Sequence, residues 1–330
     1  MADTNTTQNY NPNTTGTASL SAENKTFYQR VLIETAEAEL IHEQFGQKRP
    51  IPKNNGKTTE FRQFDPLPEA TTPLTEGVTP DGQTISTKTV TATVQQYGGY
   101  VTLSDTLELT AIDNVIVEAT KLIGSQGGRT MDGVVREILN AGTNVMYGGG
   151  KSSRSDIGYT SETDNCNMTV NLIRKAVRTL ENQSAPRIDG YYVAIVHPDV
   201  KYDIMSDKDW KDPNTYKDSV DHLFKGEIGS LYGVRFVENP RAKVFKKSGA
   251  TPSGTGAVAQ DVYSTLFIAE NAYGIIPIEG SGMEHIVKPK GSAGTADPIN
   301  QRSTVGWKCT TTAVILVPQY LLRVETSATP

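Results

Sequence analysis

The feature that most narrows the folds open to this chain is an excursion between two strand-like segments. Thr58–Phe64 (TTEFRQF) and Lys88–Val94 (KTVTATV) are rich in Thr, Val and Phe and alternate in part, as half-exposed strands do. Between them, residues 65–87 carry Pro66, Pro68, Pro73, Pro80 and the turn pair Asp81-Gly82. The segments therefore pair as a hairpin with a long tip. Seven-residue strands reach only about 23 Å, and a two-stranded ribbon is marginal alone. It needs a surface to lie on, and a tip with four prolines and few large apolar side chains is a poor core element. That surface is either the chain's own core or, in the sharper reading, a neighbouring chain. On the sharper reading Phe61, Phe64, Leu67 and Leu74 make inter-subunit contacts.

A second constraint is a long helical pattern over residues 113–140. Its apolar stripe reads Ile116, Ala119, Ile123, Met131, Val134 and Ile138, and the missing step falls on Gly127. Gly124, Gly127, Gly128 and Gly133 each cost a helix about 1 kcal/mol against alanine. Glycine on the inward stripe lets another backbone approach closely, which marks Gly127 and Gly128 as close-approach positions on a spine beneath a sheet. The alternative is a helix broken in two at Gly127-Gly128.

The remaining pattern is mixed. Residues 1–20 are polar, with too little apolar surface to order themselves. From Ser21, the residues Phe27, Val31, Ile33, Ala36, Leu40, Ile41 and Phe45 recur at helical spacing, and Gly46 is placed to end the helix. Met168–Leu180 reads as an amphipathic helix opened by Asn167 or Thr169, Tyr191–Val196 as a buried strand, and Asp199–Asp209 as a helix. Strands follow at 234–237, 262–269, 272–278, 306–317 and 321–325. The fold class is α+β.

Composition excludes several functions. The net charge of −5 argues against a chain that grips nucleic acid by bulk charge. Cys166 and Cys309 fit a reduced chain better than a disulfide scaffold. No apolar run approaches the roughly 20 residues that span a bilayer, so no membrane contact is expected. Forty threonines among 330 residues favour extended structure.

Catalytic groupings do not emerge. His42, His197, His222 and His285 show no metal-ligand spacing with each other or with the cysteines. Val145–Ser152 (VMYGGGKS) is the nearest approach to a phosphate loop, but valine stands where glycine is needed and the segment follows a helix. Gly148–Ser152 (GGGKS) reads better as a flexible exit from the long helix. Glu34 with Glu37 and Asp207 with Asp209 are ordinary surface carboxylate pairs. No enzyme activity and no cofactor or metal is expected.

The order of parts, with residues 226–239 (GEIGSLYGVRFVEN), 196–199 (VHPD) and 300–308 (NQRSTVGWK), resembles the major capsid proteins of tailed bacteriophages, the Hong Kong 97 fold. Gly226, Gly229 and Gly233 permit turns feeding a buried strand, and Trp307 anchors a sheet. The resemblance implies a flexible polar arm (1–20), an N-arm with an amphipathic helix (21–57), and an extended β-hairpin loop (58–100). It further implies a peripheral domain with a spine helix (101–165), an axial domain (166–274) and return strands of the peripheral domain (275–330). It implies self-assembly of pentamers and hexamers into an icosahedral shell around a double-stranded DNA phage genome, without sequence-specific DNA binding. A portal, a separate scaffolding protein and assembly in the bacterial cytoplasm belong to the same expectation. Lys88 lies on the loop, but nothing identifies a cross-linking partner. Rival readings are an encapsulin-like nanocompartment shell and a monomeric surface or adhesion protein.

Overall fold

The computed structural model describes residues 32, 33, 36 and 40–330, apart from 65–66, 75, 78, 80, 111–114, 161–164, 208–209, 211–226, 252–257, 281, 293 and 295–296. The polar arm and most of the expected N-terminal helix lie outside the described residues. The fold is α+β, as expected. Its first strands are β1 (Gln47–Lys48), β2 (Thr58–Phe64), β3 (Thr87–Thr93) and β4 (Gln95–Ser104), followed by helices Asp105–Thr110 and Val115–Asn140. Next come β5 (Val145–Tyr147), helix Val170–Asn182, β6 (Tyr192–Val196), helix Pro198–Ser206, β7 (Glu227–Leu231), β8 (Val234–Glu238) and β9 (Val244–Phe245). The chain closes with β10 (Val262–Ile268), β11 (Tyr273–Pro277), β12 (Glu284–Lys288), β13 (Arg302–Ile315) and β14 (Leu321–Thr326).

Two compact units can be distinguished, and the long helix and β13 contribute to both. The larger unit comprises residues 36–97, 128–282 and 309–330. It holds a seven-stranded sheet in the order β5-β14-β10-β6-β8-β7, with β9 beside β10. β6 explains why such a strand must be apolar throughout. Tyr192, Ala194 and Val196 pack with Ile173, Ala176 and Leu180 of helix Val170–Asn182. The alternate residues Val193 and Ile195 pack with Val135 and Leu139 of the long helix. Both faces are covered, so no position is left for a polar side chain. Thr169 caps the shorter helix, its Oγ1 accepting from Leu172 N at 3.3 Å.

The same unit contains β11, which pairs antiparallel with residues 311–315 of β13 and parallel with β1. The hairpin of β2 and β3 runs in unbroken register from Thr58 opposite Thr93 to Phe64 opposite Thr87. In the smaller unit, residues 98–127 and 283–308 with the chain start, β12 pairs antiparallel with residues 304–308 of β13.

Several expectations need correction. Helical structure is found at Leu32, Ile33 and Ala36, but Leu40 and Ile41 are not helical and residues 42–45 form turns. The cause is Asp132, whose Oδ1 accepts from Ile41 N at 3.0 Å and His42 N at 2.8 Å and so takes these amides from any helix. The long helix is continuous across Gly127-Gly128. Its second half buries Met131, Val135 and Leu139, while Val134 and Ile138 are half-buried. The inward stripe there follows steps of four residues. β13 begins at Arg302, four residues before the expected strand, and β5, β7 and β12 were not anticipated. Val145–Tyr147, just before the expected flexible exit, pairs with Arg323–Glu325 of β14. Gly148 follows where an added Cβ would overlap Cys166 O.

Candidate assembly surfaces

Period two divides the hairpin's side chains between its faces. Phe61, Val90 and Ala92 share one face and pack with Ile51, Val94 and Ile276. The Arg49 guanidinium lies 5.4 Å from the Phe61 ring centroid. Phe61 is only 7% exposed, so its own chain already covers it. Phe64, three residues on, falls on the opposite face and is 65% exposed. Leu67 and Leu74 are 52% and 78% exposed, and Ile85 is exposed too. The four side chains grouped as one contact therefore split: Phe61 serves the base of the hairpin, while Phe64, Leu67 and Leu74 stand uncovered towards its tip.

Gly127 and Gly128 each face a close neighbour. In the smaller unit, a Cβ on Gly127 would stand 3.0 Å from Met283 Cε and 3.2 Å from Trp307 Cδ2. Trp307 is buried and its Nε1 donates to Gln126 Oε1 at 3.2 Å. Gly98 and Gly99 lie against the same tryptophan, and a Cβ on Gly98 would press on Trp307 O at 2.7 Å. In the larger unit, a Cβ on Gly128 would overlap Ala36 O and stand 3.0 Å from Ala36 Cα.

Among the three turn glycines, Gly226 lies outside the described residues. Gly229 sits at an irregularity in the β7–β8 pairing. Gly233 has φ 76° and follows Tyr232 at φ 49°; two central residues at positive φ fit the tight turn that joins twisted strands. Asn239, the last residue of that segment, belongs to a buried polar cluster that sequence reasoning missed. Its Nδ2 lies 3.3 Å from His42 Nδ1 and 3.4 Å from Asp132 Oδ2. His42 Nδ1 is 2.9 Å from Asp132 Oδ2, and Tyr273 Oη donates to His42 O. Burial acts to raise the Asp132 pKa, but the hydrogen bonds and charge of His42 outweigh it and hold the carboxyl below its ordinary value. The only sequence signal was an aspartate on an inward helical stripe.

The candidate reactive groups have structural duties. His197 caps helix Pro198–Ser206, its Nδ1 accepting from Asp199 N at 3.2 Å. His285 Nε2 lies 3.4 Å from Thr120 Oγ1, and burial lowers its pKa. Both cysteines are buried and free, and burial pushes the Cys309 thiol up to about 11. Asp207 accepts from Val170 N; His222, Glu34, Glu37 and Asp209 lie outside the described residues. Among the described residues, no group of three His, Cys, Asp or Glu could hold a metal ion. No described helix is long and apolar enough to cross a membrane.

The family model described as phage capsid protein matches residues 87–324, more than two thirds of the chain. Solved structures share the fold. A capsid of Ralstonia phage GP4 aligns with TM-score 0.67 at 14% identity over 89% of this chain and 91% of that one. The capsid structure of cyanophage P-SCSP1u gives 0.64 at 13% identity over 88% and 89%. The capsid asymmetric unit of cyanophage Pam1 gives 0.63 at 13% identity over 99% of both chains. No curated protein matches significantly. With the hairpin, the glycine-bearing long helix and the tryptophan-anchored sheet in place, this chain belongs to the phage capsid protein family, as a shell-forming major capsid protein of the Hong Kong 97 type.

Proposed function

We propose that this chain closes into an icosahedral shell of pentamers and hexamers around a double-stranded DNA phage genome, with residues 58–100 reaching over an adjacent subunit. Residues 166–274 form the axial domain, whose copies meet about the five-fold and six-fold positions, and residues 101–165 and 275–330 form the peripheral domain. The observation that carries the reading is the division of the hairpin: its base is buried on its own chain through Phe61, while Phe64, Leu67 and Leu74 remain exposed. Large apolar side chains grouped on a projecting ribbon mark an interaction surface. Heterologous contacts of this kind build closed shells when symmetry brings the last copy back to the first. A portal and a separate scaffolding protein complete assembly in the host cytoplasm. The net charge of −5 suits a wall that encloses DNA without holding particular sequences.

Electron microscopy of the expressed full chain, with hydrogen exchange on subunits and particles, tests this. Closed particles are expected, with residues 67–86 protected in particles and open in free subunits. A chain that stays monomeric by light scattering at every concentration, or equal exchange in both states, overturns it. Particles that hold a protein cargo and no nucleic acid would favour a nanocompartment shell instead.

A further inference from the structure

The hairpin tip and a groove beside the long helix carry opposite charges. Between Arg62 and Lys88 the sequence holds Asp65, Glu69, Glu76 and Asp81 and no basic residue. Glu69, Glu76 and Asp81 are exposed and make no ion pair among the described residues. Within the larger unit, a groove runs along the long helix, lined by Arg129, Gly133, Arg136, Glu137 and Arg241 among others. Backbone carbonyls hold two of its guanidinium groups: Arg136 Nη1 donates to Arg241 O at 2.7 Å, and Arg241 Nη2 donates to Arg129 O at 3.2 Å. Glu137 is the one acid lining the groove among the described residues, and it is shared. It accepts from Arg136 Nη2 at 2.8 Å and from Lys243 Nζ at 2.6 Å. Arg136 and Lys243 share that single carboxylate and Arg241 lies beside Arg136, so the groove is positive. Arg136 Nε and Arg241 Nη1 are also buried without a hydrogen-bond partner, which leaves donor capacity unused.

Gly133 is an independent observation. Gly128 is explained by Ala36, but a Cβ on Gly133 would meet nothing within 4 Å. Nothing within the described chain requires glycine there, and glycine is unfavourable inside a helix. Its effect is to keep the floor of the groove bare where an incoming backbone would lie.

We infer that this arginine groove receives the acidic hairpin tip of a second copy of the chain. The inference rests on the proposed reach of the hairpin over a neighbour and names the surface that receives it. Opposite charge steers the tip and sets its register, while Phe64, Leu67 and Leu74 supply the apolar contact around it. One chain thus gives a tip and receives one, as a heterologous ring demands.

A charge-swap cycle on the full chain tests the inference. R136E/R241E and E69K/E76K/D81K are each expected to lower particle yield roughly tenfold at about 0.1 M salt, and combining them is expected to restore much of the loss. Gly133→Gln, which fills the floor without adding charge, is expected to lower yield while the subunit stays folded by circular dichroism. Wild-type yield is also expected to fall as salt rises to about 1 M, where screening shortens to about 3 Å. Wild-type yield from a folded Gly133→Gln and from R136E/R241E overturns the inference, as does a combined variant with no recovery. Normal yield from R136E/R241E with less nucleic acid retained in the particles also overturns it, and assigns the groove to phosphodiesters. Deletion of residues 67–86 separates the two levels. If it abolishes assembly while the groove variants assemble normally, the hairpin reading stands and the groove assignment alone falls; if the deletion assembles normally, both fall.

Discussion

One helix offers a paired experiment in which the same substitution has opposite signs five residues apart. Alanine in place of glycine stabilises a helix interior by about 1 kcal/mol. At Gly133 nothing lies within 4 Å of the added methyl, so Gly133→Ala should gain the whole amount. At Gly128 the methyl would overlap Ala36 O and stand 3.0 Å from Ala36 Cα and 3.1 Å from Ala36 C. These are backbone atoms, which cannot swing aside as a side chain does, so the helix or the segment bearing Ala36 must shift. Overpacking of that kind costs about 1–3 kcal/mol, and the upper part of the range applies where backbone is struck. Gly128→Ala should then lose about 1–2 kcal/mol after the propensity gain. The two variants should differ by about 2–3 kcal/mol, roughly 30- to 150-fold in the unfolding equilibrium. Urea unfolding of subunits below the concentration of assembly reads this difference, followed by circular dichroism and by the fluorescence of buried Trp210, which lies in the same unit as Gly128. An unchanged denaturant slope would show that the native state alone has moved. If Gly128→Ala proves as stable as Gly133→Ala, Ala36 does not pack against the helix at this distance, and the explanation of the inward glycine fails.

Three other outcomes follow from the same geometry. Phe61→Ala should cost about 3 kcal/mol of subunit stability, whereas Leu74→Ser should change it by less than about 0.5 kcal/mol and still reduce particle yield; urea midpoints and electron microscopy separate the two effects. Asp132→Ala strands the amides of Ile41 and His42 and should cost about 3 kcal/mol. The Asp132 pKa is depressed in the folded chain, so its stabilisation is present above the unfolded value of about 3.9 and lost as pH falls through the depressed folded value; Asp132→Asn should flatten that acid limb of the urea midpoint. Burial holds the Glu43 carboxyl above its ordinary value, which penalises the ionised form. Glu43→Gln should therefore stabilise the subunit at neutral pH, with the gain shrinking as pH falls through the raised folded value and gone below about 4.3.

The legible parts of this chain were those written in local period. The hairpin strands were placed within a residue because TTEFRQF and KTVTATV alternate. The helix at Val170–Asn182 was readable because Thr169 caps a regular apolar stripe. β6 stood out because both of its faces are covered, which leaves an unbroken apolar run. What escaped is non-local. Asp132 draws Ile41 and His42 out of a helix from 90 residues away, and no spacing rule joins those positions. β5 is three residues long and exists because Leu321–Thr326 lies beside it, so its own sequence reads as loop. Phe61 and Phe64 look alike in composition; only the period-two parity of the strand sends one inward and the other out, and that parity was available in the sequence.

The exposed tip also fixes the order in which subunits associate, on the proposed reading. Covering Phe64, Leu67, Leu74 and Ile85 stabilises a contact by about 1.5–2 kcal/mol each, or about 6–8 kcal/mol in all. Joining two free bodies costs about 4–15 kcal/mol in lost translation and rotation. One hairpin on one neighbour is therefore close to break-even. Each open addition trades one contact for the freedom of one body, whereas closing the ring adds one further contact with no further body immobilised. Closed rings should then appear directly from free subunits, with open dimers scarcely populated. Sedimentation velocity across the concentration at which assembly begins should show monomer and closed species alone. A dimer that is stable at micromolar concentration would mean that a single contact holds far more than the exposed tip provides, and the source of the cohesion would lie on another surface.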